Sequence, residues 1–164
     1  MLIKIVFQTR KAEEIVTSVR SYAKEQKLKK SPLSVNEVVT EAVKDFTSTL
    51  QDYPLQIEFE EDPRSPICSL APLEFELAVF NLLKNAKEAL KAQKADEPKL
   101  FIKLSSSETH CFVDISDNGA VISDSDFERM GSVFKSGKAS GLGIGLSIVR
   151  SIVQNHNGSL VLER

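Results

Sequence analysis

The glycines of this 164-residue chain are confined to its last third. All seven lie at or after Gly119, and six of them fall between Gly119 and Gly145. Three alternate with aliphatic residues in SGLGIGLSIV, residues 140–149, and an apolar helical pattern follows at once. Glycine in a helix or strand costs roughly 0.5–1 kcal/mol relative to alanine. Such a concentration therefore predicts a mobile or ligand-cradling segment.

The composition and charge of the chain limit the class of protein that it can be. Apolar residues make up 41% and charged residues 27%, which is ordinary for a soluble globular domain. The formal net charge of −2 provides no basic surface for nucleic acid or a membrane. No apolar run is long enough to span a bilayer, and the opening MLIKIVF is too short for a signal peptide. We therefore expect a cytoplasmic protein or a cytoplasmic part of one.

The cysteines and histidines carry no recognisable catalytic or metal pattern. Cys68 and Cys111 have no metal-ligand spacing and make no disulfide framework, so we interpret both as small buried side chains in a reducing compartment. His110 and His156 lack a triad or metal partner, and we interpret them as structural or surface residues.

The spacing of apolar residues predicts helices and strands in alternation. Four helices are expected. Two cover residues 8–28 and 72–93, one begins after a Ser34–Glu37 capping box, and one runs from the glycine segment to about Asn157. Strands are expected over residues 55–60, 99–104, 111–116 and 159–163. This order predicts an α/β layer structure with a mixed or largely antiparallel sheet.

The helix predicted over residues 72–93 carries an unusual polar stripe. Asn81, Asn85 and Glu88 have i, i+4, i+7 spacing and project from one face. A solvated face is the commoner explanation of such a stripe, but it usually consists of Glu, Lys or Gln. Asparagine disfavours a helix interior because its amide competes for backbone hydrogen bonds. Its neutral oxygen suits Mg²⁺, so a metal site is the second interpretation.

Asp117, Asn118 and Gly119 form a short motif at the end of a predicted strand. Such a tripeptide is first of all a turn signal, so a plain hairpin turn and a binding role are both open interpretations. The alternating strand expected after a hairpin is missing. An aspartate at this position, beside a glycine that allows close approach, could accept a hydrogen bond from an adenine amine.

The glycine run GLGIG opens directly onto a predicted helix. Its spacing differs from the dinucleotide-binding pattern, and the long apolar span needed for a membrane glycine motif is absent. Free N–H groups and the positive dipole end of a helix bind phosphate oxygens, and Lys138 could add a charge. Close helix packing is the weaker alternative, because packing seldom needs three glycines.

Together these motifs occur in the order and approximate spacing of a known family. The chain resembles the ATP-binding catalytic domain of a bacterial sensor histidine kinase, in the superfamily shared with gyrase and the mismatch-repair ATPases. NLLKNAKEAL (81–90) resembles its asparagine box, DISDNG (114–119) its first glycine box and GLGIGLSIV (141–149) its second. FKSGK (134–138) resembles its phenylalanine-threonine-threonine-lysine segment.

The resemblance implies a role for each matching residue. Asn85 would ligate Mg²⁺, Asn81 would assist the phosphates or a metal-bound water, and Lys138 would act beside them. Asp117 would hold the adenine amine of ATP, and Gly119 would give room for the base. The phosphates would be wrapped by the second glycine box, which comprises Gly141, Leu142, Gly143, Gly145 and Leu146.

The resemblance further implies a fold, a domain organisation and partners. The fold would be a two-layer α/β (α+β) sandwich of the Bergerat type, with a mixed, mostly antiparallel sheet backed by helices. Residues 1–30 would be a remnant of the dimerisation and phosphoacceptor hairpin, its second helix, and residues 31–164 the catalytic domain. No histidine lies in the first hundred residues, so the acceptor histidine would belong to a phosphoacceptor domain. A response regulator and a homodimeric full-length protein are also implied.

Two positions distinguish the possible activities within this superfamily. Hydrolysing members and anti-sigma-type serine kinases have a glutamate base four residues before the metal asparagine, where this chain has Asn81. An amide cannot take a proton, which favours histidine kinase over ATPase or serine kinase. The usual second glycine of the first box is replaced by Val121, in the predicted ATP lid over 120–140. That replacement favours a third possibility, a nucleotide-binding or dimerising module without turnover.

Overall fold

The helices and strands of the computed structural model are defined for residues 29–121, 123–124 and 144–163. They run in the order β1 (Ser31–Ser34), α1 (Val35–Ser48), β2 (Gln56–Glu60), β3 (Ile67–Leu70), α2 (Pro72–Gln93), β4 (Lys99–Ser106), β5 (Cys111–Asp117) and α3 (Ile144–Asn155). The helix predicted over residues 8–28 lies outside the described residues. Among the described helices, none is long and apolar enough to cross a membrane.

The strands form two small sheets. The first has the order β2-β4-β5, with β2 parallel to β4 and β4 antiparallel to β5. In the second, β1 pairs antiparallel with β3. The predicted mixed sheet is confirmed, and the three predicted strands in the first sheet lie within one or two residues of their expected bounds.

The short strands β1 and β3 are not evident from the sequence. Each has only four residues, and β1 contains Pro32, which cannot donate to a ladder and suits an edge strand. The capping prediction beside them is confirmed, because the Ser34 hydroxyl accepts from the Glu37 N–H at 3.4 Å. Helix α1 therefore begins directly at the end of β1.

Helix α2 lies between the two halves of the apolar core. Its Leu83 and Leu90 are fully buried in a cluster with side chains of α1 and β4. Its Ala78 belongs to a second cluster with Ile148, Val149 and Ile152 of α3. The helix begins at Pro72, which suits the first turn. Helix α2 therefore packs against α3 on one side and against α1 and the sheet on the other.

The end of α3 confirms one prediction and corrects another. Asn157 adopts a left-handed conformation with φ 59°, and the Gly158 N–H donates to the Val153 carbonyl at 2.9 Å, which is a Schellman stop. The strand predicted over residues 159–163 is wrong, since that segment has no regular structure. Alternating side chains do not make a strand without a partner, and none of the described strands pairs with it.

His156 connects the end of α3 to the beginning of α2. Its Nε2 accepts from the Ala71 N–H at 3.0 Å, and its Nδ1 lies 2.7 Å from the Ile152 carbonyl oxygen. The ring also contacts Phe75 edge-on, with centroids 5.9 Å apart. These contacts satisfy a backbone donor at the start of α2, so His156 is a structural residue.

Replacing His156 with alanine is expected to destabilise the fold by about 1–3 kcal/mol, because the Ala71 N–H loses its partner. The expected result in a thermal melt is a decrease in Tm of roughly 2–10 °C. The matched control is His110→Ala, at an exposed position between β4 and β5, which should leave Tm within about 1 °C. Equal Tm for wild type and His156→Ala would contradict this role.

Candidate nucleotide site

The asparagines of α2 lie on the side of the helix that meets α3. Asn81 and Asn85 are both half-buried, and the Asn81 Nδ2 donates to the Leu77 carbonyl at 2.8 Å. This bond to the residue four positions back occupies the amide nitrogen. It leaves the Asn81 Oδ1 directed toward Gly145, where a Cβ atom would lie 3.4 Å from that oxygen.

Gly145 and the asparagine pair form one end of the candidate site. A Cβ atom on Gly145 would also lie 3.8 Å from both the Nδ2 and the Oδ1 of Asn85. Gly145 is the second residue of α3, and Leu146 beside it is half-buried. The amides therefore face the amino-terminal turn of a helix, where the positive dipole end favours anions. The structure thus brings together two motifs that are about sixty residues apart in the sequence.

The motif Asp117–Gly119 forms a second end of the candidate site, at the carboxyl end of β5. The Asp117 Oδ1 accepts from the Gly119 N–H at 2.9 Å. Asn118 fixes the turn, since its Oδ1 accepts from the Lys99 N–H at 2.7 Å and its Nδ2 donates to the Glu97 carbonyl at 2.8 Å. No strand follows within residues 119–121. The tripeptide is a turn, as predicted, and it presents an exposed carboxylate.

Gln93 also belongs to this region, although its position in the sequence does not indicate it. Its Oε1 accepts from the Ala120 N–H at 2.5 Å, and its Nε2 donates to the Ala120 carbonyl at 3.4 Å. A Cβ atom on Gly119 would lie 2.6 Å from the Gln93 Oε1 and 2.7 Å from the Asp117 Oδ1. A larger residue at 119 would therefore displace the ends of these two side chains from their present positions. The only sequence signal is that Gln93 is predicted to end a helix, which is not specific.

Helix α2 therefore contacts both ends of the candidate site. Asn85 lies near Gly145 and Gln93 near Gly119, about 12 Å apart along the helix axis at 1.5 Å per residue. Val121, beyond the turn, is 79% exposed and is absent from the non-glycine residues with positive φ. Its backbone conformation does not require the glycine that is usual at this position.

The remaining candidate residues lie outside the described part of the chain. These are Lys138, Gly141, Leu142 and Gly143, together with most of the predicted lid. Their roles stay predictions.

The donor set near Gly145 fits a magnesium ion that is shared with a nucleotide. Within the described residues, no group of three or more His, Cys, Asp or Glu side chains could hold a metal by itself. Mg²⁺ keeps several waters and binds through few protein oxygens plus substrate phosphates. The neutral amide of Asn85 would be such a protein ligand.

The Gly145→Ala variant separates fold stability from nucleotide binding. The added methyl group would be in ordinary contact with the asparagine amides, at 3.4–3.8 Å, and alanine is favoured over glycine in a helix by up to ~1 kcal/mol. We expect an unchanged or higher Tm but an affinity for an ATP analogue roughly tenfold lower, because the methyl group occupies space beside Asn85. A melt and a titration of the same sample measure both, and unchanged affinity would contradict the placement of this site.

Comparison with known protein families identifies the class to which the chain belongs. Residues 71–164 match the family described as histidine kinase-, DNA gyrase B-, and HSP90-like ATPase. The match covers more than half of the chain, and the chain belongs to this family. Among curated relatives, the C4-dicarboxylate transport sensor protein DctS of Rhodobacter capsulatus is 27% identical over 157 residues. That alignment covers 96% of this chain and 24% of DctS.

Solved structures of histidine kinases share the fold. The catalytic domain of the histidine kinase ThkA matches with a TM-score of 0.67 and 24% identity, covering 77% of this chain and 81% of that one. ThkA in complex with the response regulator protein TrrA matches with a TM-score of 0.70 and 23% identity, covering 94% and 43%. The resemblance to the catalytic domain of a sensor histidine kinase is confirmed. The chain spans about a quarter to a third of the length of the first curated relatives that it matches.

Proposed function

We propose that this chain binds Mg·ATP and transfers the γ-phosphoryl group to a histidine of a phosphoacceptor domain in two-component signalling. The observation that carries the proposal is the position of the Asn81 and Asn85 amides beside the first turn of α3, 3.4–3.8 Å from where a Cβ atom on Gly145 would lie. It combines amide oxygens with a helix amino terminus, and these groups suit a metal-bound polyphosphate. The family match supports the same chemistry.

Each described residue has a defined task in this proposal. Asn85 holds Mg²⁺ and Asn81 orients the phosphates. Asp117 accepts a hydrogen bond from the adenine amine. Gly119 leaves space for the base, and Gln93 positions the turn through Ala120. Mg²⁺, when bound, neutralises phosphate charge, and phosphoryl transfer depends mainly on such neutralisation and on positioning.

The environment of Asn81 supports transfer to histidine over hydrolysis. Its amide cannot act as a base, and its nitrogen is already engaged by the Leu77 carbonyl. A water nucleophile would lack activation, whereas an imidazole supplies its own lone pair. His156 is engaged through both ring nitrogens, so we propose that the acceptor histidine lies in a phosphoacceptor domain. A response regulator, homodimerisation of the full-length protein and a cytoplasmic location are parts of the same proposal.

Transfer of label tests the proposal directly. The chain is incubated with Mg²⁺, γ-labelled ATP and a separately produced phosphoacceptor hairpin of a sensor kinase such as DctS. We expect label on the hairpin that is lost in acid and kept in alkali, as for phosphohistidine. Acid-stable label on a serine protein would support the anti-sigma-type kinase instead. Nucleotide binding without any transfer to an intact hairpin would support the module without turnover.

A further inference from the structure

Cys68 and Cys111 lie next to each other, although they belong to strands of different sheets. Their Sγ atoms are 2.8 Å apart, and both side chains are half-buried free cysteines. Cys68 is in β3, where it pairs with Leu33 of β1, and Cys111 is the first residue of β5, opposite Ser106. The sequence interpretation of two separate buried thiols is therefore incomplete.

A polar cluster holds the two strands together independently of the sulfur atoms. Asp62 is 2% exposed, and its Oδ1 accepts from the Arg64 N–H at 2.9 Å. The Ser106 hydroxyl donates to the Asp62 Oδ2, and the Arg64 Nη2 donates to the Ser106 carbonyl. The segment before β3 is thereby bonded to the residue that pairs with Cys111. The proximity of the thiols is thus part of the fold.

We propose that Cys68 and Cys111 form a reversible disulfide with a low-molecular-weight disulfide as the oxidant, which joins the two sheets covalently. The thiolate of Cys68 attacks one sulfur of the oxidant and expels a small thiolate. The sulfur of Cys111 then loses its proton and attacks Cys68 in the mixed disulfide, which expels the second small thiolate. Two electrons pass from the cysteine pair to the oxidant, and two small thiols are released.

The surroundings of Cys111 explain this order of attack. Burial, reinforced by the hydrogen bond and charge of Cys68, raises the pKa of the Cys111 thiol to about 12. Cys111 is therefore a poor first nucleophile at neutral pH. Once Cys68 is in a mixed disulfide, its contribution to that raised pKa is removed, and Cys111 becomes easier to deprotonate.

The disulfide would close a loop that contains α2 and β4. Cross-linking two positions 43 residues apart restricts the unfolded chain and stabilises the folded state. We expect the oxidised chain to melt roughly 5–15 °C above the reduced chain. The cross-link begins at the opposite end of β5 from Asp117, so it lies away from the candidate nucleotide site.

The test uses the full chain in buffers of oxidised and reduced glutathione at increasing ratios. After trapping with iodoacetamide, we expect the number of alkylated thiols to fall from two to zero in a monomer, with a mass decrease of about two units before alkylation. Dithiothreitol should restore both thiols and the lower Tm. The variants Cys68→Ser and Cys111→Ser serve as controls that can form only mixed disulfides or dimers.

Two results would overturn the proposal. One is retention of both thiols in the wild type at ratios where the single-cysteine variants form mixed disulfides. The other is oxidation only to mixed disulfides or dimers, with no internal bond. Neither readout involves a nucleotide. The second needs no variant, because it concerns the oxidised wild type alone. A failure of the proposed kinase function would leave both readouts unchanged.

Discussion

The Asn85→Ala variant is expected to lose phosphoryl transfer by a factor on the order of 100 or more while remaining folded. Asn85 is half-buried beside Gly145, and its amide oxygen is the neutral ligand proposed for Mg²⁺. Without this oxygen, the metal and the phosphates are no longer held in position at the start of α3. Alanine is a better helix former than asparagine, so the substitution should not lower Tm.

The control for this variant is Asn155→Ala, which makes the same change at the exposed last residue of α3. Labelled transfer to the phosphoacceptor hairpin, measured at several Mg²⁺ concentrations, should be unchanged in the control. Partial recovery of the Asn85→Ala variant at high Mg²⁺ would agree with a metal-ligand role. Wild-type transfer at every Mg²⁺ concentration would exclude Asn85 as the metal ligand.

The second large effect is expected at Asp117. Replacing this carboxylate with the amide of asparagine removes a charged hydrogen-bond acceptor, which is worth about 1.5–3 kcal/mol. We expect the affinity for ATP to fall about 10- to 100-fold. The Gly119 N–H that now donates to the Asp117 Oδ1 keeps an oxygen partner in the variant. The turn should therefore persist, and the decrease in affinity should come from the lost hydrogen bond to the nucleobase.

Competition between nucleotides distinguishes a loss of base recognition from a general loss of folding or nucleotide binding. Wild type should prefer ATP over GTP, whereas Asp117→Asn should lose most of that preference. The matched control is Asp114→Asn, an identical substitution at an exposed position of β5, and it should keep both affinity and preference. An Asp117→Asn variant that still prefers ATP by the wild-type factor would show that the adenine amine is recognised elsewhere.

Features with strong local signals could be predicted from the sequence. Helix α2 has the predicted bounds because Pro72 opens it and a long apolar pattern continues to Gln93. The stop at Asn157–Gly158 follows from two residues that tolerate a turn after a helix. The two asparagines on one face of α2 stand out in the sequence because they conflict with helix propensity, and the structure places both near Gly145.

Features that depend on tertiary contacts could not be predicted in this way. The contact of Gln93 with Ala120 joins a helix end to a loop 27 residues further along, and nothing in the local pattern of either residue indicates it. The approach of Cys68 to Cys111 has the same origin, since it depends on the polar cluster of Asp62. Residues 159–163 alternate as a strand should, but pairing is a property of two segments.

Titration of a fluorescent ATP analogue, with and without Mg²⁺, tests whether the chain binds a nucleotide at α2, β5 and α3. Wild type, Asn85→Ala and Asp117→Asn are compared at equal concentration, after their Tm values have shown that all three are folded. We expect tighter binding by wild type when Mg²⁺ is present, loss of that Mg²⁺ effect in Asn85→Ala, and weaker binding by Asp117→Asn in both conditions. Equal affinity of the three proteins in both conditions would contradict a nucleotide site at the junction of α2, β5 and α3.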